Sequence, residues 1–342
     1  MRKLCPLALA IVVAMLPALP MFGQSEITRP PSVLDHLTKE EGAKIQLNLE
    51  MAALLQNRKK ADYISATLTD ATGQSFNLEV RTRGKFRRRR CEIPPIKLKF
   101  LKTGLEQAQL DTMNEIKLVL PCANKEADET LIVREYLVYR MFEKLSPNYC
   151  VRARLVQLQL KDKAKKRPQK MLAMLVEHEE EVSGRMFGTV VQEWGIKPDR
   201  LDGDQAALAI LFQFLAGNTD WDLTSCRNIM LIQPPDSGAL KVIPYDFDFS
   251  GLVAAPYASP NSECNIRSVL DRCLMDYGVS PEAFQGARKK IFEAKAALYN
   301  ECINPFLPAD AAKDMSRYLD IFFEALSADT TEIPSRLEFP RQ

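Results

Sequence analysis

The chain has 342 residues, of which 46% are hydrophobic and 26% are charged, a composition typical of an ordinary globular protein. Its formal net charge of +2 does not favour bulk nucleic-acid binding, so we expect no nucleic-acid partner. The sequence contains only two histidines and no G-x-S-x-G pattern. Zinc hydrolases and Ser-His-Asp enzymes are therefore disfavoured.

The first residues have the pattern of a secretory signal. Arg2 and Lys3 precede an apolar run over residues 7–19, and Gly23 offers a small residue at a cleavage point. The run is shorter than the roughly 18 apolar residues that a membrane span requires. We therefore predict a signal peptide over residues 1–23 and export to the periplasm or the extracellular space. The mature chain would have no membrane span and a formal charge of 0, because both signal cations leave.

Alternating apolar and polar residues predict a β-rich first half. Ile96, Leu98 and Phe100 fall on one face of a strand, and the two lysines between them fall on the other. Turn signals, such as those at residues 69–73, separate the candidate strands. The predicted strands span residues 45–51, 63–68, 76–83, 96–101, 115–120, 152–160 and 171–177.

Helical spacing of apolar residues predicts one long helix within this half, over residues 126–145, which ends before Pro147. After residue 179 the pattern becomes mainly helical, and a short strand pair at 228–232 and 241–245 interrupts it. The helices predicted in this second half span residues 204–215, 281–299 and 310–326.

Seven cysteines remain after the signal, and their spacing contains no C-x-x-C pair, so a zinc site is not expected. In an oxidising compartment some of them would pair. Cys91 and Cys122 each border a predicted strand, which makes them the first expected bridge. Two buried free thiols are an equally consistent interpretation.

Two acidic clusters and one asparagine form the strongest functional pattern. Asp220 follows an expected helix end, and Asn228 stands eight residues later. Asp246 and Asp248 would project to the same side of an extended chain, where two carboxylates repel each other unless a cation or protons intervene. Carboxylate and amide oxygens suit magnesium rather than zinc. The structural alternatives are a capped helix end at Asp220 and an exposed acidic strand end at Asp246.

Together these residues resemble the spore coat protein H (CotH) kinase-like family, which has an atypical protein-kinase fold. The resemblance runs from about residue 80 to residue 257. It implies an α+β, two-lobed atypical protein-kinase-like fold. A β-rich N-terminal lobe with one long helix would span residues 24–177, and an α-rich C-terminal lobe with the acidic site would span residues 178–342. The sequences that carry it lie at residues 83–84, 96–98, 134–137, 175–177 and, most specifically, 218–221, 228–229 and 245–248.

The resemblance implies ATP and magnesium, or manganese, as cofactors. Lys97 would contact the nucleotide phosphates, and Glu135 on the long helix would hold Lys97 in position. The segment around Glu177 would lie beside the nucleotide base. The sequence departs from the protein-kinase pattern here, because it has no glycine-rich phosphate loop.

In the same way, Asp220 would be the catalytic aspartate that orients the acceptor hydroxyl. Asn228 and Asp246 would bind the metal, and Asp248 would hold a second metal. The spacing from Asp220 to Asn228 is longer than the five residues of protein kinases, and Asp248 replaces the glycine that follows the metal aspartate there.

The segment from Arg81 to Arg90, here called the basic segment, contains seven basic residues in ten. It could bind phosphates or another anionic ligand, and a solvated hairpin is equally consistent. The leading hypothesis is an exported phosphotransferase that moves a nucleotide phosphoryl group to a hydroxyl, a protein Ser or Thr by the resemblance. The main alternative is a non-catalytic kinase-like binding module for an anionic partner. A metal-dependent phosphoesterase is a third.

Overall fold

The computed structural model describes residues 29–123, 125–235, 237–327 and 333–340. The predicted signal peptide over residues 1–23 therefore lies outside the described residues. Within the described ranges, none of the helices is long and apolar enough to cross a membrane. Helices and strands both occur along the chain, so the prediction of mixed α and β content is confirmed.

In the first half of the described chain, seven strands share one sheet, and five helices connect or cover them. The strands are β1 (Ala43–Leu49), β2 (Ile64–Thr69), β3 (Ser75–Thr82), β4 (Ile96–Phe100), β5 (Glu115–Val119), β6 (Ala153–Asp162) and β7 (Gln169–Glu177). The helices are α1 (Val33–Leu37), α2 (Met51–Gln56), α3 (Phe86–Arg90), α4 (Lys102–Gln107) and α5 (Glu126–Leu145).

The sheet closes on itself in the order β1-β2-β3-β4-β5-β7-β6. β1 pairs antiparallel with β2 and parallel with β6, in register from Ala43↔Val156 to Leu49↔Asp162. The predicted two-lobed kinase-like fold is therefore wrong, because the β-rich half is a closed seven-stranded mixed barrel. Alternation identifies strands but not their neighbours, and closure removes the open edges that a sheet must otherwise protect.

Alternate residues of the barrel strands point inward and form an apolar core. Ile45, Leu98 and Leu118 are each no more than 2% exposed. Burying one such side chain stabilises the fold by about 1.5–3 kcal/mol. The outward residues Val119 and Val176 belong to a second core, which is shared with the rest of the chain.

The second half surrounds that second core with helices and a small three-stranded sheet, in the order β10-β9-β8. Its elements are α6 (Glu179–Arg185), β8 (Thr189–Val191), α7 (Gly203–Ala216), β9 (Ile229–Gln233), β10 (Lys241–Pro244), β11 (Arg272–Cys273), α8 (Pro281–Glu293), α9 (Lys295–Glu301), α10 (Ala309–Ser327) and β12 (Arg336–Leu337). The predicted helix over 281–299 is divided at Ala294 into α8 and α9.

Two helices position the functional residues. α5 has the bounds predicted for it, with acidic residues in its first turn and Lys144 in its last, as the helix dipole favours. It packs against β6, β7 and α9, and Tyr139 contacts Phe247 with ring centroids 4.8 Å apart. α7 begins at the capping residue Asp202 and is buried from Gln205 to Ala216. The predicted division at residue 177 stays a prediction, and the second core extends across it.

Two disulfides join Cys91 to Cys122 and Cys264 to Cys273. The predicted Cys91–Cys122 bridge is therefore confirmed. It ties the end of α3 to the segment that follows β5, and this link fixes the basic segment against the barrel.

Candidate functional site

A cavity of about 580 Å³ lies between the outer face of the barrel and the second half of the chain. We call it the central cleft. It is lined by residues 83–87, by the outer faces of β5 and β7, by α5, and by two loops at 220–228 and 245–249. Its size is within the range of small-molecule and cofactor sites, about 300–1,000 Å³.

The end of α7 delivers Asp220 to this cleft. Gly217 adopts a left-handed conformation with φ of 65°, which ends the helix. The fully buried Asn218 then fixes the turn, because its side chain donates to the Oε1 atom of Gln213 at 3.0 Å and accepts from the Asp220 amide at 3.1 Å. The helix therefore ends at Gly217 and not at Asp220, and Asp220 lines the cleft.

A tight hairpin brings Asn228 back to Asp220 despite the eight-residue spacing. Asp222 and Arg227 exchange two backbone hydrogen bonds of 3.0 and 2.9 Å. The side-chain amide of Asn228 then donates to the backbone carbonyl of Asp220 at 2.6 Å and to the Oδ2 atom of the Asp220 carboxylate at 3.1 Å. The Asp222 carboxylate serves this loop instead, since it accepts from Thr224, Ser225 and Tyr277, which lower its pKa to about 2.

The chain reaches the cleft again just after β10. The Tyr245 amide donates to the Asn228 carbonyl at 3.1 Å, which joins the two loops. Asp246 has φ of 65°, and its amide donates to the buried Tyr139 hydroxyl at 2.8 Å. Asn228 also has a positive φ, of 54°. Asn and Asp tolerate this region best among non-glycine residues, and such conformations are concentrated at functional sites.

The carboxylates of the cleft repel one another. Asp248 is 6% exposed, and its pKa is raised well above the usual range by burial, by Asp246 and by Glu135, against the opposing effects of Arg87 and the Tyr257 hydroxyl. Burial also raises the pKa of Asp220, with Arg227 opposing and Asp246 adding to the effect. A bound cation would relieve this repulsion.

Cations line the same cleft. Lys117 on β5 is 5% exposed, donates to Glu179 at 2.7 Å and lies 5.1 Å from the Tyr245 ring centroid. Burial and the nearby Arg83 lower the pKa of Lys117. Arg87 on α3 pairs with Glu135 at 3.3 Å and donates to the Leu120 carbonyl at 2.8 Å.

Three predicted nucleotide residues are placed differently from the expectation. The expected Lys97–Glu135 pair is not formed, because the Lys97 ammonium lies 2.7 Å from Glu115 and 2.9 Å from His178, while Glu135 pairs with Arg87. Lys97 does not line the cleft, whereas Glu135 does.

Glu177 is completely buried and does not line the cleft either. It accepts a hydrogen bond from the Arg152 amide at 2.7 Å and pairs with Arg185 at 3.1 Å. It therefore joins β6, β7 and α6 to one another. The neighbouring cleft residues from the same region are Val176 and Glu179.

Sequence reasoning missed Lys117, and it included Arg87 only as one of the seven basic residues of the basic segment. Lys97 and Lys117 are direct neighbours in the register of β4 and β5, and both alternate with inward apolar residues. The one signal in favour of Lys117 is the apolar Val119 two residues later on the same face, which predicts a covered surface. Arg87 gave no distinguishing signal among its basic neighbours.

The acidic groups of the cleft bear on whether it can bind a metal. Among the described residues, no group of three or more His, Cys, Asp or Glu side chains is placed to hold a metal ion. Magnesium is commonly bound by one or two carboxylates together with substrate phosphates, rather than by a protein cage. Asp246 and Asp248, with the amide oxygen of Asn228, are hard ligands of that kind in one cleft. The chemistry of these donor atoms is therefore compatible with a magnesium ion.

Neither a scan against protein-family models nor a search of curated proteins finds a match to this chain. The resemblance to the CotH family and the roles that it implies therefore stay predictions, and the function must be argued from the geometry of the central cleft.

Proposed function

We propose that the protein is a metal-dependent phosphotransferase that moves the terminal phosphoryl group of a nucleoside triphosphate, ATP by the resemblance, to a hydroxyl acceptor such as a protein Ser or Thr. The observation that carries the proposal is that one cleft combines carboxylate and amide groups with buried cations. Phosphoryl transfer depends on such groups to position the phosphates and to stabilise their charge. The proposal rests on the site and not on the barrel, since a fold does not define a function.

Asp220 is assigned to the acceptor hydroxyl. Its carboxylate is 38% exposed, so a substrate can reach it, and the Asn228 amide orients it from one side. Its raised pKa makes it a better proton acceptor than an ordinary aspartate. The acceptor oxygen would bond to the terminal phosphorus, the bond from phosphorus to the bridging oxygen would break, and the hydroxyl proton would pass to Asp220 as the nucleoside diphosphate leaves.

Asp246, Asp248 and Asn228 are assigned to a magnesium or manganese ion. When bound, the ion would supply positive charge that neutralises the phosphates. The protein contribution is to hold these groups in place before binding: the Tyr139 hydroxyl accepts from the Asp246 amide, and the Tyr257 hydroxyl donates to Asp248 at 3.2 Å.

Lys117, Arg87 and Arg83 are assigned to the nucleotide phosphates. All three line the cleft, and Lys117 and Arg87 are each fixed by one carboxylate and further contacts. Fixed cations of this kind can replace the positive charge that a glycine-rich loop and its lysine supply elsewhere.

The first test is thermal unfolding of residues 24–342 with magnesium, with and without ATP. Asp246→Asn is the sharp variant, because asparagine tolerates the positive φ, and the exposed Asp199→Asn is its control. At ligand concentrations well above Kd we expect a shift of roughly 5 °C that needs both metal and nucleotide. The shift should persist in Asp199→Asn and disappear in Asp246→Asn. No shift for the wild type would contradict the proposal.

Transfer itself is tested with Asp220→Asn. Loss of a general base lowers the rate by about 10²–10⁴-fold. Nucleotide-dependent stabilisation should remain, since Asp220 is not assigned to the nucleotide. Asp222→Ala is a poor control, because its carboxylate organises the same loop. Release of chromophore from a phosphodiester without nucleotide would favour a phosphoesterase instead.

A non-catalytic binding module remains the second candidate, and the basic segment favours it. Such a protein would bind an anionic partner through residues 81–90 and show no transfer. Export is also part of the proposal. The two disulfides support an oxidising compartment, in which such bonds persist.

A further inference from the structure

The basic segment continues out of the cleft. β3 ends at Thr82, Gly84 turns the chain with φ of 77°, and α3 begins at Phe86. Residues 83–87 line the central cleft, whereas the partly or fully exposed residues 88–90 lie beyond its lining. The cationic surface therefore extends from the lining of the cleft at residues 83–87 onto the outside of the molecule.

Much of this positive charge has no counter-charge within the protein. In the described part of the chain, Arg87 alone among these seven basic side chains has a carboxylate within ion-pair distance. Four of the others lie from residue 85 onward and form what we call the basic lip: Lys85, Arg88, Arg89 and Arg90. Other arginines of the barrel are paired, for example Arg154 with Glu143 at 2.9 Å. Seven positive charges within ten consecutive residues repel one another, so an anionic ligand bound to the basic segment would stabilise the protein.

The basic lip is also held in place. The Cys91–Cys122 disulfide fixes the end of α3, and Arg87 anchors its middle to Glu135 and to the Leu120 carbonyl. Phe86 packs edge-on against Phe249 at 5.4 Å, in the loop that carries Asp246 and Asp248. A surface that is ordered before binding loses less entropy when a partner binds.

The loop that carries Asp220 has an apolar neighbour. Trp194 lines the cleft and is 81% exposed. The next residue, Gly195, donates its amide to the Thr224 carbonyl at 2.8 Å, so Trp194 lies beside the 220–228 loop. An exposed tryptophan at the edge of a site is a common anchor for a polypeptide partner.

We propose that the acceptor is an acidic polypeptide segment, whose hydroxyl reaches Asp220 while its carboxylates bind the basic lip and an apolar side chain packs on Trp194. A polypeptide offers acidic, apolar and hydroxyl groups on one chain, and these are the groups that the basic lip, Trp194 and Asp220 would contact. A membrane surface fits less well, because Phe86, the aromatic of α3, is engaged with Phe249 and Tyr257. This inference rests on the proposed function and deepens it.

The experiment uses three versions of one peptide that contains an acceptor serine and one apolar residue to pack on Trp194. In the first version glutamates flank the serine, in the second each glutamate is replaced by glutamine, and in the third each is replaced by lysine. Binding is measured by fluorescence anisotropy and transfer with labelled ATP and magnesium. The lip variant is Arg88→Gln/Arg89→Gln/Arg90→Gln. The control removes three exposed cations elsewhere, Lys163→Gln/Lys165→Gln/Lys166→Gln, in the turn between β6 and β7.

We expect the wild type and the control to bind the acidic peptide about tenfold more tightly than the glutamine version, and to lose this preference as salt is raised. The lip variant should lose the preference and keep its magnesium-ATP thermal shift. Equal use of all three peptides by an active enzyme would overturn the inference and leave the function standing. Acidic-peptide binding without any nucleotide shift would overturn the function alone. Preference for vesicles of anionic phospholipid over the acidic peptide, lost in the lip variant, would replace the peptide with a membrane surface.

Discussion

The inside of the barrel and the central cleft are built on opposite faces of the same strands. On β5, Ile116 and Leu118 point into the barrel and are completely buried, while Lys117 points outward into the cleft. The inner face is formed mainly by apolar side chains, which gain from leaving water. The outer face holds charged groups whose burial is unfavourable unless a partner or ligand compensates it. Period-two alternation thus lets one strand serve stability on one side and chemistry on the other.

The cleft also differs from the barrel in its backbone. Cys226, Asn228 and Asp246 all have positive φ, and all three line the cleft. Conformations of this kind cost of order 1–3 kcal/mol each and persist only where the surroundings enforce them. The barrel supplies stability, and the two cleft loops use part of it. Changes to the two regions should therefore have separable effects.

The largest expected effect is on the barrel side. Leu98→Ala removes a completely buried side chain and should lower the free energy of unfolding by about 2–5 kcal/mol. Urea denaturation measures this loss. The magnesium-ATP affinity of the remaining folded protein should stay within about twofold, because Leu98 faces away from the cleft. A larger fall in affinity would break the distinction between the two regions.

A cleft loop can be disturbed without touching the barrel. A Cβ at Gly217 would lie 1.9 Å from the Tyr318 hydroxyl, and its φ is positive, so Gly217→Ala should destabilise the protein by about 2–4 kcal/mol. Tyr318→Phe removes the closest atom and should restore part of this loss in the double variant. Thermal unfolding of the wild type, the two single variants and the double variant gives the coupling free energy between the two substitutions. Strict additivity of the two changes in unfolding free energy would show that the Tyr318 hydroxyl does not clash with a Cβ at residue 217.

A matched pair of lysines sharpens the comparison at the level of the ligand. Lys117→Gln should weaken nucleotide binding by about 1.5–3 kcal/mol, the size of a charge-assisted hydrogen bond. Lys97→Gln, in the neighbouring register position, should change it by less than about twofold, because Lys97 lies outside the cleft lining. Isothermal titration with magnesium-ATP measures both. The reverse ranking would restore the role first expected for Lys97.

The smallest effect concerns the buried carboxylate. Because the pKa of Asp248 is raised in the folded protein, the wild type should lose stability as pH rises above the ordinary aspartate value of about 4. Asp248→Asn has no such penalty, so without metal it should be more stable than the wild type at pH 7, with the difference vanishing near pH 4. Urea unfolding between pH 4 and 8 tests this. A wild type that gains stability over this range relative to the variant would contradict it.

Much of the secondary structure follows from local pattern. The bounds of α5 match the prediction, and the barrel strands begin and end within about two residues of it, because alternation and helical spacing are local signals. The short helices α1, α2, α3, α4 and α6 were not predicted as such. Their sequences are too short for periodicity, and helices of this length depend on tertiary packing more than on intrinsic propensity.

By itself, the sequence determined the strands, the long helix and the acidic residues that the fold brings to one cleft with Asn228, and it named the first disulfide as one of two alternatives. Only the tertiary structure decided that β1 pairs with β6, which closes the barrel. It also decided that Lys117 and Arg87, rather than Lys97, line the central cleft together with Asp246. Strand pairing joins residues far apart in the chain, and the burial of an outward lysine depends on which element covers it. Neither property is present in the local pattern of residues.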